Sequence, residues 1–236
     1  MGLAGGLARA QAQEAAPSRT TPQKTIKRLK RIERGGQPLS FSACVPLEES
    51  SEGPKPVAQS SDGRRAACVR MRKGANDLAK ALAKDPHVGW SLQVPAKENG
   101  LDIEGIAVDG DRVFLGLRGP VLRGMAVMIE LSVENKGNGR LKLRKAFGDE
   151  QRYRLHFLDL GGMGIRDMIL DGARLLMLIG PTMDLDGPVA VVALDDPFRD
   201  LHDVTFADEI RHVLRVPHGA GTDRAEGLAL TDEGRF

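Results

Sequence analysis

Three segments of the chain share one sequence pattern, and this repeat constrains the fold more than any other feature. They read EGIAVDGDRVFLGLRGP at 104–120, RDMILDGARLLMLIGP at 166–181 and EGLALTDEGRF at 226–236. The copies begin about 60 residues apart, and each places an Asp-containing turn after its first apolar run. The two longer copies also end in Gly-Pro. A repeat of this period is typical of folds that stack one supersecondary unit on the next.

Each repeat has room for four short strands, because apolar residues alternate with polar ones between turn signals. The predicted strands are 105–109, 112–118, 125–133 and 140–147 in the first unit, and 166–171, 174–180, 188–195 and about 210–216 in the second. Four antiparallel strands at this period predict a β-propeller blade, with a plain antiparallel sandwich as the alternative.

The predicted fold class is therefore all-β: a partial β-propeller with two complete four-stranded blades and the start of a third. Residue 236 falls in the second strand of that third blade. Since propellers usually have four to eight blades, we expect the chain to be a fragment of a longer protein.

Charge divides the chain near residue 100. Residues 1–100 contain 17 Lys/Arg and 9 Asp/Glu, whereas residues 101–236 contain 17 and 23. We expect residues 1–25 to be disordered and residues 26–100 to form a basic region of short helices and loops. One of these helices is predicted at 76–86, with Asn76 as its N-cap. Residues 101–236 would hold the blades, truncated at the C-terminus.

Composition argues against several classes of partner. Aromatic residues are only 4% of the chain, which disfavours base-stacking and sugar-binding surfaces. The basic helix KTIKRLKRIER at 24–34 favours a solvated face, with a nucleic-acid or anionic-membrane patch as the alternative, so nucleic acid is not favoured as a partner. No run of 18 apolar residues exists, which predicts no membrane span. A cytoplasmic location is favoured, with a secreted or periplasmic one left open.

Sequence motifs give little support to covalent catalysis. There is no G-x-S-x-G motif and no H-E-x-x-H motif, and the histidines lack the spacing of zinc ligands. His156 lies in an apolar strand, where it is expected to be a hydrogen-bonded or a solvent-facing residue rather than a catalytic one. Whether the protein is an enzyme therefore stays open.

Two long segments resemble a known family. They are NGLDIEGIAVDGDRVFLGLRGPVLRGMAVMIEL at 99–131 and LGGMGIRDMILDGARLLMLIGPTMDLDGPV at 160–189, and they are similar to the bacterial family named domain of unknown function 3616. The resemblance covers residues 74–236, and KRLKRIE at 27–33 is also similar to a family segment. It implies further blades on both sides and supports the propeller. It supplies no activity, because the family is uncharacterised.

In a propeller the first strand of each blade lines the central channel, so charged residues at the start of these strands should meet. The set predicted to lie near the axis is Asp102, Glu104, Arg166, Asp167 and Glu226. Those predicted to rim the same or the opposite face are Arg118, Arg123, Asp184 and Asp186.

Two interpretations of this set stay open. In the structural one, Glu104 and Glu226 accept hydrogen bonds from Arg166, Arg118 or backbone N–H groups, and the charges pair the blades together. In the functional one, the set is a site for a ligand or an ion. Asp102, Glu104 and Glu226 could hold Ca²⁺, which binds six to eight oxygens, or the arginines could grip a phosphate or carboxylate.

The function favoured by these patterns is a binding or scaffold module with an ion-paired central channel, whose partner is a small anionic ligand or a protein. The alternative is a metal- or arginine-assisted hydrolase of phosphate or other esters, acting at the channel mouth. The hydrolase requires carboxylates that no arginine neutralises.

Overall fold

The computed structural model of the chain describes residues 42–44, 47–51, 53, 55–69, 71–72, 75–137, 139–183, 185–197, 203–217 and 225–230. The segment predicted to be disordered, 1–25, and the basic helix at 24–34 lie outside the described residues. Asp184 lies outside them as well.

The part before the repeats consists of short elements. Its strands are β1 (Ser42–Cys44), β2 (Leu47–Glu48), β3 (Lys55–Pro56), β4 (Ala67–Val69), β5 (Met71–Arg72) and β6 (Ala75–Asn76). The helix α1 (Asp77–Leu82) follows, and the Oδ1 atom of Asn76 accepts a hydrogen bond from the N–H of Ala79 at 2.7 Å. The predicted helix and its cap are confirmed. Two 3-10 helices, Gly89–Gln93 and Ala96–Glu98, lead into the first repeat.

The first repeat forms an antiparallel sheet. Its strands are β7 (Asp102–Asp109), β8 (Arg112–Gly119), β9 (Met125–Asn135), β10 (Arg140–Leu143) and β11 (Tyr153–Asp159). β8 pairs with β7 on one side and β9 on the other, while β10 and β11 both pair with the far side of β9. β4 extends this sheet by pairing with β10.

The outer strand of the first repeat differs from the prediction. A single strand at 140–147 was expected, but β10 ends at Leu143 and β11 fills most of that edge. The charged stretch after Leu143 leaves the sheet and forms an exposed 3-10 turn at Gly148–Glu150. β11 takes its place because Leu155 and Leu158 supply the apolar side chains that the core needs.

The second repeat forms a four-stranded antiparallel sheet, as predicted. Its strands are β12 (Gly164–Asp171), β13 (Arg174–Gly180), β14 (Val189–Asp195) and β16 (Arg211–Val216), paired in that order. The connection between the last two strands contains β15 (Val204–Thr205), which pairs parallel to β11. This connection therefore joins the second repeat to the outer edge of the first. Residues 225–230, from the third copy, contain no strand.

Three apolar layers hold these parts together. The first lies between the N-terminal part and the first sheet, where Leu78 and Leu82 pack with Leu115 and Leu117. The second lies between the two sheets and includes Phe114, Met128, Ile165, Met168, Met177 and Val192. The third lies between the second sheet and the third copy, where Ala225, Leu228 and Leu230 pack on Leu176, Leu178, Val189, Val191 and Ala193. Full burial of such a side chain is worth about 2 kcal/mol.

Two glycines let the sheets approach closely. A Cβ atom added at Gly116 would lie 2.5 Å from a methyl carbon of Ile165, and one at Gly105 would lie 2.9 Å from the side chain of Met168. The first strand of the second sheet therefore packs flat against the first sheet. Among the described residues the architecture is mostly β, with two main sheets and no sheet closed on itself. The propeller stays a prediction.

Candidate functional site

The start of β7 and the end of β8 lie at one end of the first sheet, and the start of β12 and the end of β13 lie at the corresponding end of the second. We call the charged residues gathered there the charged edge: Asp102, Glu104, Arg118, Arg166, Asp167 and Glu226. All six were predicted from the sequence as site candidates.

Both repeats carry a β-bulge at the same place in the first strand. The register shifts between Ile103 and Gly105 in β7, and between Ile165 and Asp167 in β12. Glu104 and Arg166 are thus the extra residues of two equivalent bulges. Since bulges re-aim side chains and interrupt pairing, the fold turns a charged residue out of each sheet at this point.

Arg118 organises the first half of the charged edge. Its Nη1 atom lies 3.1 Å from Oε1 of Glu104 and 4.0 Å from Oδ2 of Asp102. Its Nε donates to the carbonyl of Pro181 at 3.5 Å, and its Nη2 donates to the carbonyl of Met183. Arg118, whose side chain is 14% exposed, therefore ties the acids of the first sheet to the loop that follows β13.

The carboxyl group of Glu104 is held in an environment that favours its protonated form. Burial raises its pKa, and the negative charge of Asp102 raises it further, while Arg118 and Arg166 act in the opposite direction without cancelling the rise. The side chain keeps 30% of its surface exposed, so water still reaches it. The raised pKa makes this acid a candidate proton donor or acceptor.

Arg166 organises the second half, and its guanidinium group is buried. The residue is only 3% exposed. Its stem lies against Gly180, where an added Cβ would come within 2.8 Å of Cδ. Nη2 lies 3.8 Å from Oε1 of Glu226, whose side chain is 83% exposed. Nε and Nη1 have no hydrogen-bond partner among the described residues.

A buried guanidinium with two unpartnered nitrogens is unusual, because leaving a charged donor unsatisfied away from water is costly. Glu226 compensates it only partly, since 3.8 Å exceeds hydrogen-bonding distance. Within the described residues, the charge of Arg166 is therefore only partly compensated.

Asp167 has a different role from its neighbour. Its Oδ1 atom accepts from the N–H of Met168 at 2.8 Å, and its Oδ2 accepts from the N–H of Leu228 at 2.7 Å. The carboxylate thus fastens the third copy to the start of β12, and this contact brings Glu226 near Arg166.

The remaining predicted residues are less informative. Arg123 is exposed in the turn between β8 and β9 and has a positive φ of 53°. Asp186 is exposed in the segment that follows β13.

The acids predicted as calcium ligands are divided between two arginines. Asp102 and Glu104 face Arg118, whereas Glu226 faces Arg166. Within the described ranges, no group of three or more His, Cys, Asp or Glu side chains is arranged to hold a metal ion. Calcium binding stays a prediction.

One buried polar network was missed by the sequence reasoning. Arg112 Nη2 lies 2.6 Å from Oε1 of Glu130, and Nε2 of His156 lies 2.9 Å from Oε2 of the same residue. Burial alone would raise the pKa of Glu130, but the hydrogen bonds from His156 and Arg112 hold it below its usual value. The signal in the sequence was the single carboxylate in the apolar run of β9. Of the two positions expected for His156, hydrogen-bonded or facing solvent, the structure has the first: the side chain is fully buried and contacts Glu130.

These features define a class: a mostly β protein that collects charged residues at one end of its two packed sheets. The family model described as protein of unknown function (DUF3616) matches residues 5–235. The chain belongs to this family. The match is wider than the resemblance over 74–236 that the motifs carried. No curated protein and no solved structure matches the chain. In the described part of the chain, no helix is long and apolar enough to cross a membrane.

Proposed function

We propose that this protein is a propeller-like binding module whose charged edge recognises a small anionic ligand. The observation that carries the proposal is the buried guanidinium of Arg166, with Nε and Nη1 unpartnered among the described residues. A fold that keeps a cation away from both water and a hydrogen-bonding partner retains its capacity to bind an anion.

The division of the charged edge supports this role. Glu104 and Arg118 pair with each other, and Arg118 also donates to two carbonyls of the loop that follows β13. This half serves the scaffold. Among the described residues Nε and Nη1 of Arg166 have no such partner, so the second half is the one suited to a ligand.

The stacking of the repeats supports the propeller-like architecture. The second sheet packs on the first, and the third copy packs on the second sheet through an apolar layer of its own. Repetition of one packing step around an axis is how propeller blades are arranged.

The proposal is tested by melting the protein in the presence of single anions. Acetate, phosphate and sulfate are compared at constant ionic strength and pH. A ligand that binds only the folded state raises the melting temperature in a saturable way. We expect at least one anion to do so at millimolar concentration, and no saturable shift with any of them would contradict the proposal.

Ester hydrolysis is a second candidate, favoured by the raised pKa of Glu104 next to Asp102. Against it stands the contact of Glu104 with Arg118. Turnover of p-nitrophenyl phosphate and p-nitrophenyl acetate decides between them. Hydrolysis that disappears in Glu104→Gln would support the hydrolase, and the binding module predicts no turnover in either form.

A further inference from the structure

We infer that Arg166 is the main contact of a carboxylate-binding site, and that Glu226 is an internal carboxylate which the ligand displaces. The inference rests on the proposed function and specifies its ligand class. It starts from the two unpartnered nitrogens of a side chain that is nine-tenths buried.

The geometry of the guanidinium group explains why a ligand carboxylate and Glu226 would compete for Arg166. A carboxylate binds arginine in a two-pronged manner either through Nη1 and Nη2 or through Nε and Nη2. Both arrangements need Nη2, which is the atom that Glu226 approaches to 3.8 Å. A carboxylate that binds in this two-pronged manner must therefore take over Nη2 as well.

The contact of the Glu226 side chain with Arg166 is one that a ligand can displace. This side chain is 83% exposed and its contact with Arg166 is longer than a hydrogen bond. The backbone of the third copy is held separately, by the bond from Leu228 N–H to Asp167. The Glu226 side chain can consequently rotate into water while the segment that carries it stays in place.

Charge favours a carboxylate over a phosphate. The charged edge contains four acids, Asp102, Glu104, Asp167 and Glu226, and two arginines. The excess of negative charge opposes a dianionic phosphate more strongly than a singly charged carboxylate. A planar carboxylate also matches the planar guanidinium.

The test compares acetate and inorganic phosphate in melting titrations of the whole chain at pH 7 and constant ionic strength. The variants are Arg166→Lys and Glu226→Gln. For the wild type, acetate should stabilise at lower concentration than phosphate. Glu226→Gln should tighten acetate binding about threefold or more by removing the competing charge, and Arg166→Lys should weaken it about tenfold.

Two matched controls are available in the second sheet. Arg174 is an exposed arginine of β13 and is changed to Lys, while Asp195 pairs with Arg211 at the same 3.8 Å and is changed to Asn. Both should bind acetate as the wild type does.

The outcomes separate the inference from the proposed function. Equal acetate binding by wild type and Arg166→Lys overturns the inference and leaves the binding module standing, whereas no binding of any anion overturns both. Tighter binding of phosphate than of acetate overturns the carboxylate preference. If Arg166→Lys does not fold, Glu226→Gln decides, because unchanged or weaker acetate binding there contradicts the displacement of Glu226.

Discussion

The two repeats begin with the same bulge but compensate its charge in different ways. In the first, Glu104 meets Arg118, which lies on the neighbouring strand of its own sheet. In the second, Arg166 has an exposed glutamate from the next copy at 3.8 Å, and it also interacts electrostatically with Glu104 of the first. The charge at the bulge is therefore paired within its own sheet in the first repeat. In the second repeat it depends on a residue from another segment.

A single residue accounts for the difference. In the first repeat, Ile103 pairs with Leu117 and Asp102 with Gly119, so Arg118 is an extra residue on β8. In the second, the equivalent pairs Ile165–Ile179 and Gly164–Gly180 leave no residue between them. The inserted residue, Arg118, thus supplies a counter-ion to the first repeat. The second repeat has no equivalent residue on β13 to pair with Arg166.

The largest loss of stability is expected for a substitution at Gly164. This residue occupies the position in the second repeat that is equivalent to Asp102 in the first. A Cβ added at Gly164 would overlap the carbonyl oxygen of Arg118. We expect Gly164→Ala to lower the free energy of unfolding by about 3 kcal/mol, because backbone has to move. Urea denaturation measures this.

The control is Gly148→Ala, where an added Cβ meets nothing within 4 Å. It should change the free energy of unfolding by less than about 1 kcal/mol. Equal effects at the two glycines would show that the close approach of β12 to Arg118 is not important for stability.

The next largest loss of stability is expected when Arg118 is replaced. Arg118→Met loses the ion pair with Glu104 and the two carbonyl contacts with the loop that follows β13, which we expect to cost about 2 kcal/mol in denaturation experiments. The pKa of Glu104, followed by carbon NMR of its carboxyl group, should rise further because the nearest cation is gone.

The matched variant is Arg166→Met. Replacing a buried and poorly paired charge with an apolar side chain is often neutral or stabilising, so this protein should be no less stable than the wild type. A loss as large as that in Arg118→Met would mean that Arg166 is also fully paired, and the comparison would fail.

A smaller effect is expected at Asp167. Asp167→Ala removes the acceptor of the Leu228 N–H and should lower the free energy of unfolding by about 1 kcal/mol. Amide hydrogen exchange should become faster at residues 225–230 and stay unchanged in β7 and β8. Exchange that is equally slow in both proteins would show that apolar packing alone holds the third copy.

The smallest expected effect on stability is its pH dependence from the titration of Glu104. Because its pKa is raised in the folded state, its contribution to stability is fully present below the unfolded pKa and is lost as pH rises through the folded pKa. As pH rises above about 4, the ordinary pKa of a glutamate, the wild type should therefore lose stability relative to Glu104→Gln. Urea denaturation across this range checks the sign.

Glu134 provides the contrast for this titration. The hydrogen bond from Lys136 lowers its pKa, so Glu134→Gln should give the opposite slope. A wild type that gains stability relative to Glu104→Gln as pH rises would contradict the environment described for Glu104.

The sequence predicted the repeat, most of its strands and the set of charges near one end of the sheets. Alternating apolar residues and a shared turn suffice for that, since both are local signals. The pairing of the charges could not be predicted, because it depends on one-residue register shifts around Glu104, Arg118 and Arg166. The replacement of the outer strand by β11, and the contact of Glu130 with His156, depend on which distant segments meet. That the charged edge binds a ligand stays a prediction.

The central claim is that Arg166 is available to an anion while Arg118 is not, and NMR of the arginine Nε–H groups tests it most directly. In a titration with sodium acetate, the Nε–H signal of Arg166, assigned by its loss in Arg166→Lys, should move in a saturable way. The signal of Arg118, assigned by its loss in Arg118→Met, should stay in place. An Arg166 signal that does not move, or an Arg118 signal that moves with the same saturation, would contradict the account.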